Sequence, residues 1–416
     1  VSTAPDVVPL GPGDLPQVVE LDATAFVFAP DPGDRVDYLE WDRTFGVRRD
    51  GRLIGLDTTF SLTLALPDGG TGVRTTPMAG LSWVAVHPGH RRQGILRELV
   101  RHHLHELHGR GDEPVSGLHA SEPVIYGRFG YGVATTGLRV EISRGATLRD
   151  LPGSDDVSIG FETADVERHG DLVHDLHARA GRRRPGWVGR GVALSRSELH
   201  DTPRTLEKSD PLRILVARRH GVPTGYAIVR RTMDWKGSAP TGSVSVRELA
   251  ALDAATEHRL WRTVTDLDLM GTTSARGLAD DDPLLLWLVD PRAARPVRED
   301  ELWLRVVDVD RALVARGYAS DVDLVLAVTD ELCPWTSRRW RLRGTAGAAG
   351  SVTCEPTTDE ADVGLDVREL GSLLVGGVSA LALGAAGLLQ ERTAGAVSVL
   401  SQAMRSPKTP ASPYSF

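Results

Sequence analysis

The twenty residues LSWVAVHPGHRRQGILRELV, positions 81–100, decide how the rest of the chain is read. Positions 81–86 are apolar and β-branched, Pro88 and Gly89 break the run, and from Ile95 onward Leu96, Leu99, Val100, Leu104 and Leu107 recur at helical spacing. A strand, a basic turn and a helix are expected in that order. The turn holds Arg91, Arg92, Gln93 and Gly94. A helix with free first amides, entered through a glycine and flanked by two guanidinium groups, suits a doubly charged pyrophosphate.

Elimination narrows the ligand. Gly89 and Gly94 have the spacing of P-loop glycines, but Ile95 and Leu96 stand where Lys and Ser/Thr are needed, and no G-x-G-x-x-G follows a strand. The run from Arg91 to Leu96 resembles the R/Q-x-x-G-x-G/A signature of GNAT acetyltransferases, whose amides hold the pyrophosphate of coenzyme A. It departs at the last position, Leu96 for Gly or Ala.

With 416 residues, two to four domains are expected. A net charge of -8 argues against nucleic acid, which is bound by neutralising phosphates. Lys208, Lys236 and Lys408 are the only lysines, so the abundance of arginine is a compositional habit and no sign of a phosphate partner. Cys333 and Cys354 form at most one bridge, and a cytoplasmic protein without a signal segment is expected. Positions 371–389 are uncharged, yet their five glycines mark a buried segment better than a membrane span.

In order along the chain, a helix capped by Asp14 is predicted to run to Phe26. An acidic loop follows, in which Asp31, Asp34, Asp37, Glu40 and Asp42 face Arg35 and interleave with Phe28, Tyr38 and Trp41. A solvated loop is the plainer reading; as a site, carboxylates beside aromatic faces suit a polycation. Strands at 44–47 and 53–66 meet at Asp50-Gly51, a hairpin signal. After the central helix, a strand at 115–120 ends at Ser121, expected to cap a short helix with Pro123 in its first turn and Tyr126 beyond. Gly127, Gly130 and Gly132 lead into a strand at 133–142.

Positions 1–150 are therefore read as one domain and 151–298 as its weaker repeat. Arg48-Arg49-Asp50-Gly51 is echoed by Arg218-Arg219-His220-Gly221, each followed by an apolar strand. The second copy has no glycine turn and puts Asp253 and Glu257 at its helix start, where a phosphate would be repelled. Positions 299–416 form a third domain, with helices expected at 367–389 and 396–404 and an extended tail, SPKTPASPYSF. His102, His103, His105 and His108 lack the spacing of a zinc helix and read as surface histidines, so no metal is expected.

Taken together, LSWVAVHPGHRRQGILR, LHASEPVIYGRFGYG at 118–132, ELWLRVVDVDRAL at 301–313 and the final phenylalanine resemble the enhanced intracellular survival (Eis) acetyltransferases over the whole chain. The resemblance implies an α+β (mixed α/β) architecture: two tandem GNAT-like domains, the first active, and a sterol-carrier-protein-like domain, assembled as a homohexamer. It implies transfer of acetyl groups from acetyl-CoA to amines of aminoglycosides. Tyr126 matches the general acid, and Phe416 the terminal residue whose α-carboxylate is the general base. Val84, Ala85 and Val86 match the strand along the pantetheine arm, and Arg91, Arg92, Gln93, Gly94, Ile95, Leu96 and Arg97 the pyrophosphate loop. Ser121 and Glu122 match further cofactor contacts. Phe26, Phe28, Asp37, Trp41 and His119 are the candidate acceptor residues, His119 being equally readable as structural. Acetylation of protein lysines or other polyamines, and a lipid carrier with vestigial transferase activity, are the rival readings.

Overall fold

The computed structural model describes residues 5–29, 36–201, 206, 209–347 and 351–416. The strand of the opening stretch is the end of a longer one, Val73–Val86, paired antiparallel with Arg52–Pro67. Asp50 and Gly51 turn the preceding hairpin with φ of 51° and 77°, as a two-residue turn matched to strand twist requires. His220 and Gly221 repeat that turn, with φ of 50° and 80°, between Arg213–Arg219 and Val222–Thr232. The duplication read from the sequence is thus a duplication of structure.

The first sheet runs Val7–Pro9, Thr44–Arg49, Arg52–Pro67, Val73–Val86, Val115–His119, Leu302–Val306 and Gly132–Val133, with Val188–Gly189 pairing beside Arg52–Pro67. The second runs Val297–Asp300, Thr136–Ser143, Met270–Leu278, Gly242–Ala251, Val222–Thr232, Arg213–Arg219 and Val157–Thr163. Boundaries at 150 and 298 therefore do not follow the sheets. The strand read as 133–142 is split: its first residue stays in the first sheet and Thr136–Ser143 enters the second. In exchange, Leu302–Val306 enters the first sheet. The two segments cross where the amides of Ala134 and Thr135 both donate to the Leu302 carbonyl, at 2.9 and 3.1 Å, and Leu302 N–H donates to Thr135 Oγ1 at 3.0 Å.

Helix Ile95–Arg110 covers the first sheet. It buries Ile95, Leu99, Val100, His103, Leu104 and Leu107, one face at helical spacing, and ends at Gly111 with a left-handed φ of 70°. His103 is no surface histidine: it bonds Thr59 Oγ1 at 3.0 Å and Ser116 Oγ at 2.8 Å beneath that helix. In the second sheet, alternate residues serve opposite faces. Leu215 and Ala217 join one apolar cluster, Ile214 and Val216 the other.

The third domain is a five-stranded sheet with helices. The helix expected at 367–389 is broken into Val367–Leu373 and Ala380–Ala385, followed by the strand Leu389–Glu391. Gly376 turns the chain between the helices with φ of 79°, where a Cβ would lie 2.6 Å from the Met404 carbonyl. One apolar cluster extends from Leu56 through Leu304 to Leu342, Leu400 and Tyr414, so the first and third domains share a core. Two buried cations tie this region. Arg305 bonds the Phe129 carbonyl and Asp330, and Arg316 donates to the carbonyls of Leu373, Leu374 and Met404. Among the described residues no helix is long and apolar enough to cross a membrane.

Candidate active site

Strands Val73–Val86 and Val115–His119 run parallel and pair only at Ala79 with Ser116 and Gly80 with Gly117. Beyond that point they part. Just past the parting, the register with Arg52–Pro67 slips between Leu56 and Thr58, so Trp83 and Val84 have no partner in the ladder. Trp83 takes a left-handed φ of 52°, which costs about 1–2 kcal/mol for a residue with a Cβ. The bulge leaves Trp83 and Val84 outside the ladder and on the wall of the gap.

That gap is a cavity of about 1050 Å³. Val84, Ala85, Val86, Arg91, Arg92, Gly94, Ile95, Leu96, Arg97, Ser121, Glu122 and Tyr126 all line it. Gly94, with φ of 85°, opens the helix Ile95–Arg110, and no side chain caps it, so its first turn is open to an anion. Gln93 is the exception: its amide oxygen accepts from Arg49 at 2.7 Å and it does not line the cavity. Ser121 does not cap the short helix Pro123–Tyr126; Glu122 holds that position and makes no side-chain cap either. Tyr126 is held edge-on against Tyr131, with ring centroids 6.1 Å apart. Burial, with a smaller contribution from Glu122, pushes its phenol up to about 12.

The tail is packed along its length. Ala411 N–H donates to the Pro185 carbonyl at 3.0 Å, Ser412 Oγ accepts from Val188 N–H at 3.2 Å, and Tyr414 lies under Arg190, 4.2 Å from guanidinium carbon to ring centre. Arg190 is anchored in turn by two bonds to Glu248, at 2.7 and 2.9 Å. Phe416 ends against Gly80, where a Cβ would approach its ring to 2.9 Å, and edge-on to His119 at 5.0 Å. His119 lines this cavity and not the one that adjoins it. Burial pushes its imidazole down to about 4, and its Nδ1 has no hydrogen-bond partner among the described residues.

A second cavity, about 770 Å³, adjoins the first, and Asp22, Trp83 and Phe416 line both. Phe28 and Asp37 line the second, and Phe26 lines the first. Trp41 lines neither; it sits in the turn Trp41–Arg43 and packs on the core. Glu40 is engaged with the backbone and hydroxyl of Ser61 at 2.7 and 2.5 Å. Asp31, Asp34 and Arg35 lie outside the described residues. Sequence reading missed Asp22, Phe60 and Trp83, and the contribution of the second domain: Glu167, Arg196, Glu198, Arg230 and Arg247. Those arginines pair with Asp171, Asp201 and Glu198, while Asp22, Asp37 and Glu167 have no ion pair among the described residues. Among the described residues the cavity's uncompensated charge is therefore negative. Burial pushes Asp22 up to about 6.

A parallel strand pair that opens at a bulge, over a helix whose amides await an anion, is the acyl-CoA cleft of a GNAT-type acetyltransferase. Residues 6–134 and 183–306 each match an acetyltransferase (GNAT) domain family, and residues 309–413 match the sterol carrier protein domain. An uncharacterised N-acetyltransferase of Streptomyces coelicolor is 39% identical over 402 residues, 94% of this chain and 95% of its own. The N-acetyltransferase Eis of Mycobacterium bovis is 36% identical over 359 residues, 83% of each chain. Eis1 from Mycobacterium abscessus has the same fold, with a TM-score of 0.82 at 28% identity over 99% of this chain and 100% of its own. The chain belongs to the Eis family of N-acetyltransferases, and its cosubstrate is acetyl-CoA.

Proposed function

We propose that the enzyme acetylates amines of polycationic small molecules, aminoglycosides foremost, at more than one position of one molecule. The observation that carries this reading is the placement of Phe416, Trp83 and Asp22 in the wall common to a cofactor-sized cavity and a second, negatively charged one. An acceptor held by Asp22, Asp37 and Glu167 presents an ammonium group toward the tail. The α-carboxylate of Phe416 takes its proton, and the freed amine attacks the thioester carbonyl. Unpaired N–H groups of the bulge steady the oxygen as it gains charge. The C–N bond forms and the C–S bond breaks; Tyr126 gives its proton to the departing sulfur, and the second proton that the nitrogen sheds as it becomes an amide returns to the phenolate through water. A phenol at about 12 is a weaker acid than a thiol near 8.5, so the phenol's proton moves only as charge builds on sulfur. His119, neutral at working pH, supplies a wall for Phe416 and no proton.

A homohexamer and a cytoplasmic location belong to the same proposal. Its test is thiol release from acetyl-CoA with limiting kanamycin. More than one thiol per kanamycin supports the reading, one alone overturns the multi-site part, and none removes aminoglycosides as substrates.

A further inference from the structure

The end of the tail is held by less than the rest of it. Among the described residues, Ser412 makes the last hydrogen bond between the tail and another element, and neither Ser415 nor Phe416 has a hydrogen bond or an ion pair. Phe416 is placed by ring contacts alone: Gly80 beneath it, His119 edge-on, and Tyr414 beside it with ring centroids 6.2 Å apart. Between Ser412 and the terminus one side chain is tightly gripped. Tyr414 is 3% exposed and lies under Arg190.

Arg190 is itself fixed, because every nitrogen of its fork is engaged. The two terminal nitrogens donate to the carboxylate of Glu248 at 2.7 and 2.9 Å, and Nε donates to Ser195 Oγ at 3.2 Å. His177 Nδ1 lies 3.2 Å from that carboxylate, and the hydroxyl of Tyr226 donates to it as well. All five residues are buried. His177 comes from the helix Val166–Gly181, Ser195 from Val192–Ser197, Tyr226 from Val222–Thr232 and Glu248 from Gly242–Ala251. The plane that faces Tyr414 is thus set by the second sheet and its helices, and a guanidinium locked in plane holds an aromatic face in one place. The same domain has no turn for coenzyme A. Asp253 caps its helix Ala254–Thr265 by accepting the amide of Thr256 at 2.9 Å, where a phosphate would need that amide free.

We propose that the second domain serves to position the base of the first: Arg190, locked by Glu248, grips the ring of Tyr414 and so sets where the α-carboxylate of Phe416 lies. Arg190 and Tyr414 are positioning residues, and their role rests on the reading of Phe416 as the general base.

Tyr414 is the residue to change, because loss of Arg190 leaves Glu248 as a buried unpaired charge. Tyr414→Phe keeps the ring and Tyr414→Leu removes it, the fold of each being checked by circular dichroism. The first readout is release of phenylalanine from the whole protein by carboxypeptidase A, each rate divided by that on a free peptide of residues 409–416 with the same substitution. Release requires the tail to leave its seat, so Tyr414→Leu is expected to lose phenylalanine roughly tenfold faster than wild type or more, and Tyr414→Phe at the wild-type rate. The second readout is turnover of acetyl-CoA with saturating kanamycin, in these proteins and in the same proteins with one glycine added after Phe416. Tyr414→Leu is expected to lower kcat by roughly tenfold or more with KM for acetyl-CoA unchanged, Tyr414→Phe to restore it, and the loss to vanish in the lengthened chain, where the carboxylate is displaced already. Equal phenylalanine release in all three proteins, a Tyr414→Phe protein as labile as Tyr414→Leu, or a loss of kcat as large in the lengthened chain as in the other overturns the proposal. Full activity in the lengthened chain with Tyr414 intact overturns the reading of Phe416, and the proposal with it; that failure is told apart because it arises without any change at Tyr414. Phenylalanine release involves no acceptor, so it decides the grip on the tail whichever amine the enzyme takes.

Discussion

Burial, which pushes the Tyr126 phenol up to about 12, keeps it protonated and neutral throughout the neutral range, so the acid role proposed for it would leave no pH signature there. Tyr126→Phe keeps the ring contact with Tyr131 and removes only the hydroxyl. Turnover is expected to fall by roughly 10²–10⁴-fold, the contribution typical of a positioned acid, with KM for acetyl-CoA little changed. Asp22 behaves differently because its carboxyl titrates near 6. Below that pH it is protonated and neutral and holds an ammonium group poorly, so KM for a polycationic acceptor is expected to rise as pH falls from 7 toward 5. Asp22→Asn should raise that KM by about tenfold or more at neutral pH, the worth of a hydrogen bond to a charged group, and abolish this part of the pH dependence. Initial rates across pH test both statements. Neither property of Asp22 was visible in the sequence, where it is one carboxylate on an amphipathic helix. Gln93 shows the converse: a motif fixes which residues form a loop, but the contact with Arg49 decides where one side chain points.

The hairpin at Asp50-Gly51 was legible as an element because glycine in a two-residue turn and alternating apolar residues act locally, and its repeat at His220-Gly221 is a turn too. Caps were not. Asp14 has φ of -88° and ψ of -7° because it closes the preceding turn Pro12–Asp14, so it lacks the extended backbone of a capping residue. Its carboxylate instead receives the Gly11 amide at 2.9 Å and Arg48 at 2.5 Å. The tail is legible in composition, with its prolines and final aromatics, but its path depends on Arg190, Gly80 and His119, each far away in sequence. Its position predicts the effect of lengthening it. One glycine added after Phe416 leaves the ring seated on Gly80 and moves the terminal carboxylate by one residue. Acetyl transfer is expected to drop by roughly 10²-fold or more, with the melting temperature unchanged; full activity in that protein removes the carboxylate from the mechanism.

Across the whole molecule, the exchange of Thr136–Ser143 for Leu302–Val306 binds the domains more tightly than their order in the chain implies. Periodicity identified both strands, yet which sheet each joins is set by the crossing at Thr135 and Leu302, a contact between residues 167 apart. Leu302–Val306 is an interior strand of the first sheet, and all five of its residues are buried. A chain ended after Asp300 is therefore expected to keep the second sheet and lose the first. Hydrogen exchange should find slow amides in Val222–Thr232 and Gly242–Ala251 and fast ones in Val115–His119. The second sheet draws all its strands from residues 136–300, whereas the first, begun at residue 7, awaits residue 306. On the ribosome, the first sheet thus closes only after the second, although its strands begin earlier in the chain. Its strand edges stay open through the synthesis of the whole second domain, and that interval is when the nascent chain most needs a chaperone.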